Sequence, residues 1–404
     1  MTAIFDLVLG IVTSIGGFVE IGSISTSAQA GSEFGYQLLW AIGIATLMLA
    51  MLLEMSGRLA AIRKRSLAAA VRERFGIHFQ IVPLIAELFI DVLLLAAEIG
   101  GVAIAIRLMT GVGLLWTVVP IGVAVWVLLW FSSFSVIEYG IGILGLITLA
   151  FVVSVWRLSP DAGDIARSFI PSMADHDRLR CAFLAISIVG ATVSPYLVNF
   201  YSSGCIEEKM KEEELWVDRI TAYVGTCFGG VVSMGVLVTS AMTLLPQQIR
   251  ADSFEQAALM LVPAFHRWGV ALFATGLGIG CFGAALEITV NAGYVAAQVG
   301  GWQWGASRPR REAPRFVAAF TVVLLPALIV LLLGIDPIRL TMISVAFTVV
   351  ALPFVVLPFL VLMNDPKYVK QHTNGPIANG ILAVLTIAGA IMALVVIPLE
   401  ILGG

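Results

Sequence analysis

Gly190-Ala191-Thr192-Val193-Ser194-Pro195-Tyr196-Leu197-Val198-Asn199-Phe200 stands in the middle of an apolar run that reaches from residue 181 to residue 204. Pro195 has no amide hydrogen and pushes Ser194 away from helical geometry. The run is long enough to cross a bilayer, whose core of roughly 30 Å takes about 20 residues of helix. The sequence therefore predicts a helix broken at membrane depth. A second interruption lies near the start of the chain, in Gly16-Gly17-Phe18-Val19-Glu20-Ile21-Gly22-Ser23-Ile24-Ser25-Thr26-Ser27. There a carboxylate, a glycine and a cluster of hydroxyls interrupt another apolar run, and unwinding is expected around Gly22.

The rest of the chain has the same character. Of 404 residues, 59% are hydrophobic and 12% charged, with a mean hydropathy of +1.00; soluble domains carry roughly 25% charge. Such a chain is an all-α polytopic membrane protein. Its apolar runs predict about eleven spans, near 5–24, 36–56, 80–109, 113–131, 136–156, 181–204, 219–245, 267–299, 315–334, 338–363 and 376–402. No stretch between them can build a core of its own, so 1–404 reads as one transmembrane transport domain. The first run lacks a basic flank and a small-residue cleavage site, and is expected to be a retained helix. The net charge of −3 gives no reason to expect nucleic acid as a partner. Of the four cysteines, Cys181, Cys227 and Cys281 fall in or beside apolar runs, and Cys205 is expected just past a helix end; none has metal-site spacing.

Alternate loops differ in charge. Those at 57–79, 132–135, 205–219, 300–315 and 364–375 carry 15 Lys and Arg, against seven on the other side. The positive-inside rule then places the N-terminus in the cytoplasm and the C-terminus outside a cell (inner or plasma) membrane. The 57–79 segment is amphipathic as well as basic and suits the membrane surface.

The two interruptions fall five spans apart, in spans one and six. Paired broken helices in corresponding positions of two halves mark the midplane site of many carriers, and favour a carrier over a channel. The halves share no clear sequence identity; their repetition rests on hydropathy and on the break positions. An enzyme is not expected, because no nucleophile elbow, nucleotide loop or metal-protease motif is present, and no cofactor is implied.

Further stretches carry a family likeness. Gly16-Gly17-Phe18-Val19, Ala30-Gly31-Ser32-Glu33-Phe34-Gly35-Tyr36-Gln37-Leu38-Leu39-Trp40 and Leu53-Glu54-Met55-Ser56-Gly57-Arg58-Leu59 resemble the opening of the Nramp family of metal-ion transporters. So do Ala97-Glu98-Ile99-Gly100-Gly101, Gly190-Ala191-Thr192-Val193 with Ser202-Ser203, and Leu352-Pro353-Phe354. The resemblance implies the leucine-transporter fold: two inverted five-helix repeats, at 1–156 and 181–363, and an extra helix at 376–402. It also shows where the chain departs. The family's Asp-Pro-Gly-Asn reads Glu20-Ile21-Gly22-Ser23 here, and its Met-Pro-His reads Ser194-Pro195-Tyr196. A family Asp is Leu95 and a family Gln is Val345. The usual metal ligands and proton carriers are therefore replaced.

The two interruptions define the expected site: Glu20, Gly22, Ser23, Ala191, Ser194, Tyr196 and Asn199, with Glu20, Ser23 and Ser194 as metal ligands. Loss of the thioether leaves oxygen donors only, which suit a hard, partly hydrated cation such as Mg²⁺ or Mn²⁺. Such a donor set is poor at stripping a transition metal of its waters. A metal already wrapped in an organic acid, as in iron-citrate, is therefore the preferred cargo at this stage. Ser194, Tyr196 and Asn199 would donate to its carboxylates beside the half-helix N-terminus. An organic-solute or amino-acid symporter of the same fold is the third reading. The expected partners are the cargo and the lipid bilayer, and a monomer is compatible with the chain.

Other buried charges are pathway candidates. Glu87, Asp91 and Glu98 lie at i, i+4 and i+11 of span three, within about 40° of one another on a helix. Ionisable groups in spans usually face the bundle interior or water; the alternative for Glu87 and Asp91 is a place near the membrane surface. Glu287 in span eight is either a pathway residue or a buried hydrogen-bonding group. Arg107, near the end of span three, is expected to snorkel, with attraction of an anionic complex as its sharper role. Glu54 and Arg58 form an i, i+4 pair. All four histidines fall in loops or at helix ends, so proton coupling is expected to be weak or absent.

Overall fold

The computed structural model describes residues 20–132, 145–173 and 177–402, and the regular elements there are all helical. The principal helices are α1 (Ile21–Phe34), α2 (Leu39–Arg63), α3 (Leu67–Phe75), α4 (Ile77–Thr110), α5 (Leu114–Phe131) and α6 (Leu149–Leu158). They continue with α7 (Arg178–Thr192), α8 (Pro195–Glu207), α9 (Leu215–Thr243), α10 (Gly269–Gly300), α11 (Pro314–Leu332), α12 (Pro337–Met363) and α13 (Pro376–Leu402). Among the described residues, nine helical segments are long and apolar enough to cross a membrane. The predicted spans at 5–24 and 136–156 fall partly outside the described residues; α1 and α6 are the parts within them.

Two groups of helices form the body. α1, α2, α7, α8 and α9 pack on one another, and α4, α5, α10 and α11 make a second group centred on the α4–α10 contact. α12 bridges them, touching α1, α4 and α7, and α13 lies outside α12 and α7. In the α7–α8 segment, 89% of the most apolar window is buried in protein, against 28% in α13. The broken segment is therefore central, and α13 presents most of its surface to lipid.

Small residues set how closely the first group packs. A Cβ on Gly31 of α1 would run into the Leu237 carbonyl of α9 and stand 2.9 Å from Ser240 Cβ and 3.0 Å from the Ala241 nitrogen. Ser240 Oγ also donates to the Ala28 carbonyl at 2.6 Å. Gly31→Ala should force α1 from α9 and cost about 1–3 kcal/mol, as overpacking of a dense core does. The check is the thermal unfolding midpoint of the purified protein; an unchanged midpoint would show that the contact yields freely.

The basic loops gather at one end of the molecule. Lys64 donates to the Met210 carbonyl at 2.5 Å, Arg58 to the His372 carbonyl at 2.7 Å and Arg310 to the Ser132 carbonyl at 2.8 Å, and Lys370 pairs with Glu212. The amphipathic 57–79 segment resolves into the end of α2 and α3, with Leu67, Ala68, Ala70 and Val71 buried. Cys205 is corrected: it lies inside α8, buried, two residues before the helix ends. At the opposite end, Arg180 on α7 pairs with Glu33 on α1 at 2.8 Å and donates to Gln29 Oε1 at 3.1 Å. Arg107, exposed at the end of α4, pairs with Glu255 there.

Candidate functional site

The break in span six lies where the sequence puts it. α7 ends at Thr192, Val193 (φ −105°, ψ 73°) and Ser194 (φ −89°, ψ 136°) leave helical geometry, and α8 resumes at Pro195. Because Pro195 has no N–H, it returns no helical bond to the Ala191 carbonyl. Fifteen residues of helix precede the break and thirteen follow it, so it falls at mid-depth.

The break in span one requires a correction. Gly22 is inside α1, which begins at Ile21; the extended residue is Glu20 (φ −104°, ψ 172°). The segment before it, residues 5–19, lies outside the described residues. Gly22 serves close packing: a Cβ there would stand 3.2 Å from Ala191 Cβ, 3.3 Å from Glu20 Oε1 and 3.6 Å from Val345 Cγ1. The starts of α1 and α8, the end of α7 and the middle of α12 thus converge.

Glu20 is at the centre of this convergence, 2% exposed. Its Oε2 accepts a hydrogen bond from Tyr196 Oη at 2.8 Å, while Oε1 has no partner. A void lies beside it, lined by Glu20, Ser23, Ala191, Thr192 and Leu197 and by Thr226, Gly229, Gly230 and Ser233 of α9, with Leu49 of α2. Its open centre measures about 10 Å³, about what one water molecule needs. The Thr226 and Ser233 hydroxyls were not among the expected groups. Their signal is T-x-x-G-G-x-x-S in span seven, polar groups seven residues apart on one helix face with glycines between.

The expected residues divide. Glu20, Ser23 and Ala191 line the void, Gly22 packs directly behind it, and Tyr196 holds Glu20. Ser194 is buried near the break, but its hydroxyl turns to the Gly190 carbonyl at 3.4 Å rather than to the void. Asn199 is corrected outright: its amide nitrogen donates to both oxygens of Glu87, at 2.9 Å each, away from Glu20. Among the described residues no group of three or more His, Cys, Asp or Glu could hold a metal together.

Of the pathway candidates, Glu98 lies next to the site. Its carboxyl group accepts the Ile21 N–H at 3.2 and 3.4 Å, at the positive end of α1. Glu287 of α10 is buried within electrostatic reach of Glu20. Glu87 and Asp91 are buried inside the protein, at 4% and 1% exposure. Arg107 takes no part: it stands at the far end of α4 with Glu255.

Comparison with known proteins agrees with this arrangement. The family model described as natural resistance-associated macrophage protein-like (Nramp) matches residues 10–399. The divalent metal cation transporter MntH of Deinococcus radiodurans is 27% identical over 350 residues, covering 81% of this chain and 74% of its own. Among solved structures, the Eremococcus coleocola manganese transporter superposes with a TM-score of 0.79 at 19% identity, over 96% of this chain and 85% of that one. Mhp1, a nucleobase-cation-symport-1 family transporter, gives a TM-score of 0.57 at 15% identity, over 96% and 91% of the two chains. MhsT, solved with L-phenylalanine, gives 0.60 at 13% identity, over 96% and 97%. The fold is thus the leucine-transporter arrangement that the family resemblance implies.

Proposed function

The chain belongs to the natural resistance-associated macrophage protein-like family, and from that membership we propose that it carries divalent metal cations across the plasma membrane by alternating access. The observation that carries this reading is the Glu20 carboxylate, buried where the start of α1 meets the broken α7–α8 segment, with one oxygen unpaired beside a void. A buried carboxylate in a membrane interior needs a positive partner, and one that faces a cavity can take it from solution. The 1–156 and 181–363 repeats would supply the two halves that move, and the basic end would face the cytoplasm.

The donors favour a hard cation. Ser23, Thr226 and Ser233 add hydroxyls, Ala191 adds a carbonyl without a helical donor, and among the described residues no sulfur or nitrogen ligand lines the void. Such a set suits Mg²⁺ or Mn²⁺ that keeps part of its water. The void reverses the preference for a chelate: a site with room for one water admits an ion, whereas iron-citrate would require the helices to part. Relatives support the same order, since one bears the name of a divalent metal cation transporter and another that of a manganese transporter.

The test is uptake into proteoliposomes of Mg²⁺ and Mn²⁺, each with and without citrate, beside a panel of amino acids. Entry of the free ions, reduced by citrate, is the expected result. Entry only of the citrate complex would restore the chelate, and entry of an amino acid alone would move the protein to the symporter class. Internal acidification during uptake should be small, because Leu95, Val345 and Tyr196 occupy positions that are polar or titratable in the resemblance; robust acidification would refute weak coupling.

Selectivity should respond to one side chain at the break. In Ser194→Met a longer side chain with a soft sulfur can reach toward the void, and Cd²⁺ should compete with Mn²⁺ roughly tenfold better, a change of about 1.4 kcal/mol. Competition uptake reads this directly. Unchanged Cd²⁺ competition would place position 194 outside the ion's reach.

A further inference from the structure

We infer that Glu87, Asp91 and Asn291 form a second cation station, which a hard divalent ion occupies between the Glu20 site and the basic end of the molecule. The inference rests on reading the chain as a cation carrier, and adds to it a second place where the ion stops.

Glu87 and Asp91 are one turn apart on α4 and are both buried. Two carboxylates so close in a membrane interior repel each other and call for a counter-charge. Among the described residues no Lys, Arg or His pairs with either. What meets them is neutral: Asn199 of α8 donates to both Glu87 oxygens at 2.9 Å, and Asn291 of α10 donates to Glu87 Oε1 at 3.1 Å.

The arrangement leaves acceptors over. Asp91 Oδ2 and Asn291 Oδ1 are buried with no hydrogen-bond partner, and Asn291 is 0% exposed. The Asn291 side chain belongs to the cluster through its nitrogen, which donates to Glu87 Oε1, and its oxygen is left without a donor. A proton on Asp91 would neutralise one carboxylate and could be donated to Asn291 Oδ1, whereas a divalent cation neutralises both carboxylates at once. A cation accepts both kinds of oxygen, and carboxylate with carboxamide is the donor set of hard divalent ions.

The position suits a way station. Glu87 is eleven residues before Glu98, which touches the residue after Glu20, and the two share a helix face; the separation along α4 is roughly 16 Å. Beyond the cluster the polar groups continue toward the basic end. Gln298 Nε2 donates to Ser203 Oγ at 2.8 Å, and Gln298 Oε1 is again unpaired. Tyr294 Oη then reaches Glu207 at 3.2 Å, at the foot of α8.

The test is a count of bound Mn²⁺ by electron paramagnetic resonance, on the full chain in lipid nanodiscs, with Mg²⁺ as competitor. The wild type should bind two Mn²⁺, and pulsed dipolar measurement should place them roughly 16 Å apart. Neither reading needs a variant. Glu87→Gln with Asp91→Asn should leave one ion, and Glu20→Gln should leave the other. One Mn²⁺ in the wild type, lost in Glu20→Gln, would overturn the station while leaving the proposed carrier intact. Two ions in both wild type and Glu20→Gln, with loss in the α4 double variant, would support the station and remove Glu20 as the cargo site.

Discussion

Glu20→Gln should abolish uptake of Mg²⁺ and Mn²⁺ in proteoliposomes while leaving the protein folded. Glutamine has the shape of glutamate and keeps an oxygen for Tyr196 Oη, which binds Glu20 Oε2 at 2.8 Å. What it loses is the charge on the one carboxylate that, among the described residues, lines the void. Removing one partner from a buried ion pair costs about 3–5 kcal/mol, so uptake should fall by roughly 100-fold or more. Glu73→Gln is the control: it alters an exposed partner of Arg63 at the basic end and should leave uptake unchanged. Wild-type uptake through folded Glu20→Gln would mean that the cation is held elsewhere.

Glu98→Ala should be nearly as damaging, for a different reason. Glu98 is 0% exposed and its carboxylate takes the Ile21 N–H, fixing where α1 begins and hence where Glu20 stands. Alanine leaves that amide buried without an acceptor, at a cost of about 1–3 kcal/mol, and opens a hole beside it. Glu98→Gln separates anchoring from charge, since the amide oxygen can still accept from Ile21. Loss of uptake and a lower unfolding midpoint in Glu98→Ala, with partial activity in Glu98→Gln, is the expected pattern. Equal damage in both would assign Glu98 to charge or proton movement, and no damage in either would make the contact idle.

How much of this was legible depended on how local the cause was. The break at Ser194–Pro195 was readable because proline acts on its own backbone and its immediate neighbours. The unwinding expected around Gly22 was misread because a glycine can mark either an unwound turn or a close contact. Gly22 is the second: its reason, the nearness of Ala191 and Val345, lies far away in sequence. Asn199 was misassigned on the same ground, since its partner Glu87 is 112 residues distant and only the packed bundle brings them together. Arg107 was visible as a charge in a span, but its partner Glu255 comes from a separate short helix. The hydroxyls of α9 passed unnoticed because serine and threonine in a span usually bond to their own helix. Thr226 does so, donating to the Ala222 carbonyl at 2.6 Å even while it lines the void.

The narrowness of the void has a kinetic consequence. An ion that enters so small a space has to surrender part of its hydration shell first, and Mg²⁺ gives up its water reluctantly. Turnover at saturating ion should therefore follow the rate at which each metal exchanges its own solvent, with Mg²⁺ slower than Mn²⁺ even where it binds as well. The barrier is largely one of breaking ion–water bonds, so uptake should steepen sharply with temperature. Cations whose shells are inert to exchange should block the entrance without ever crossing.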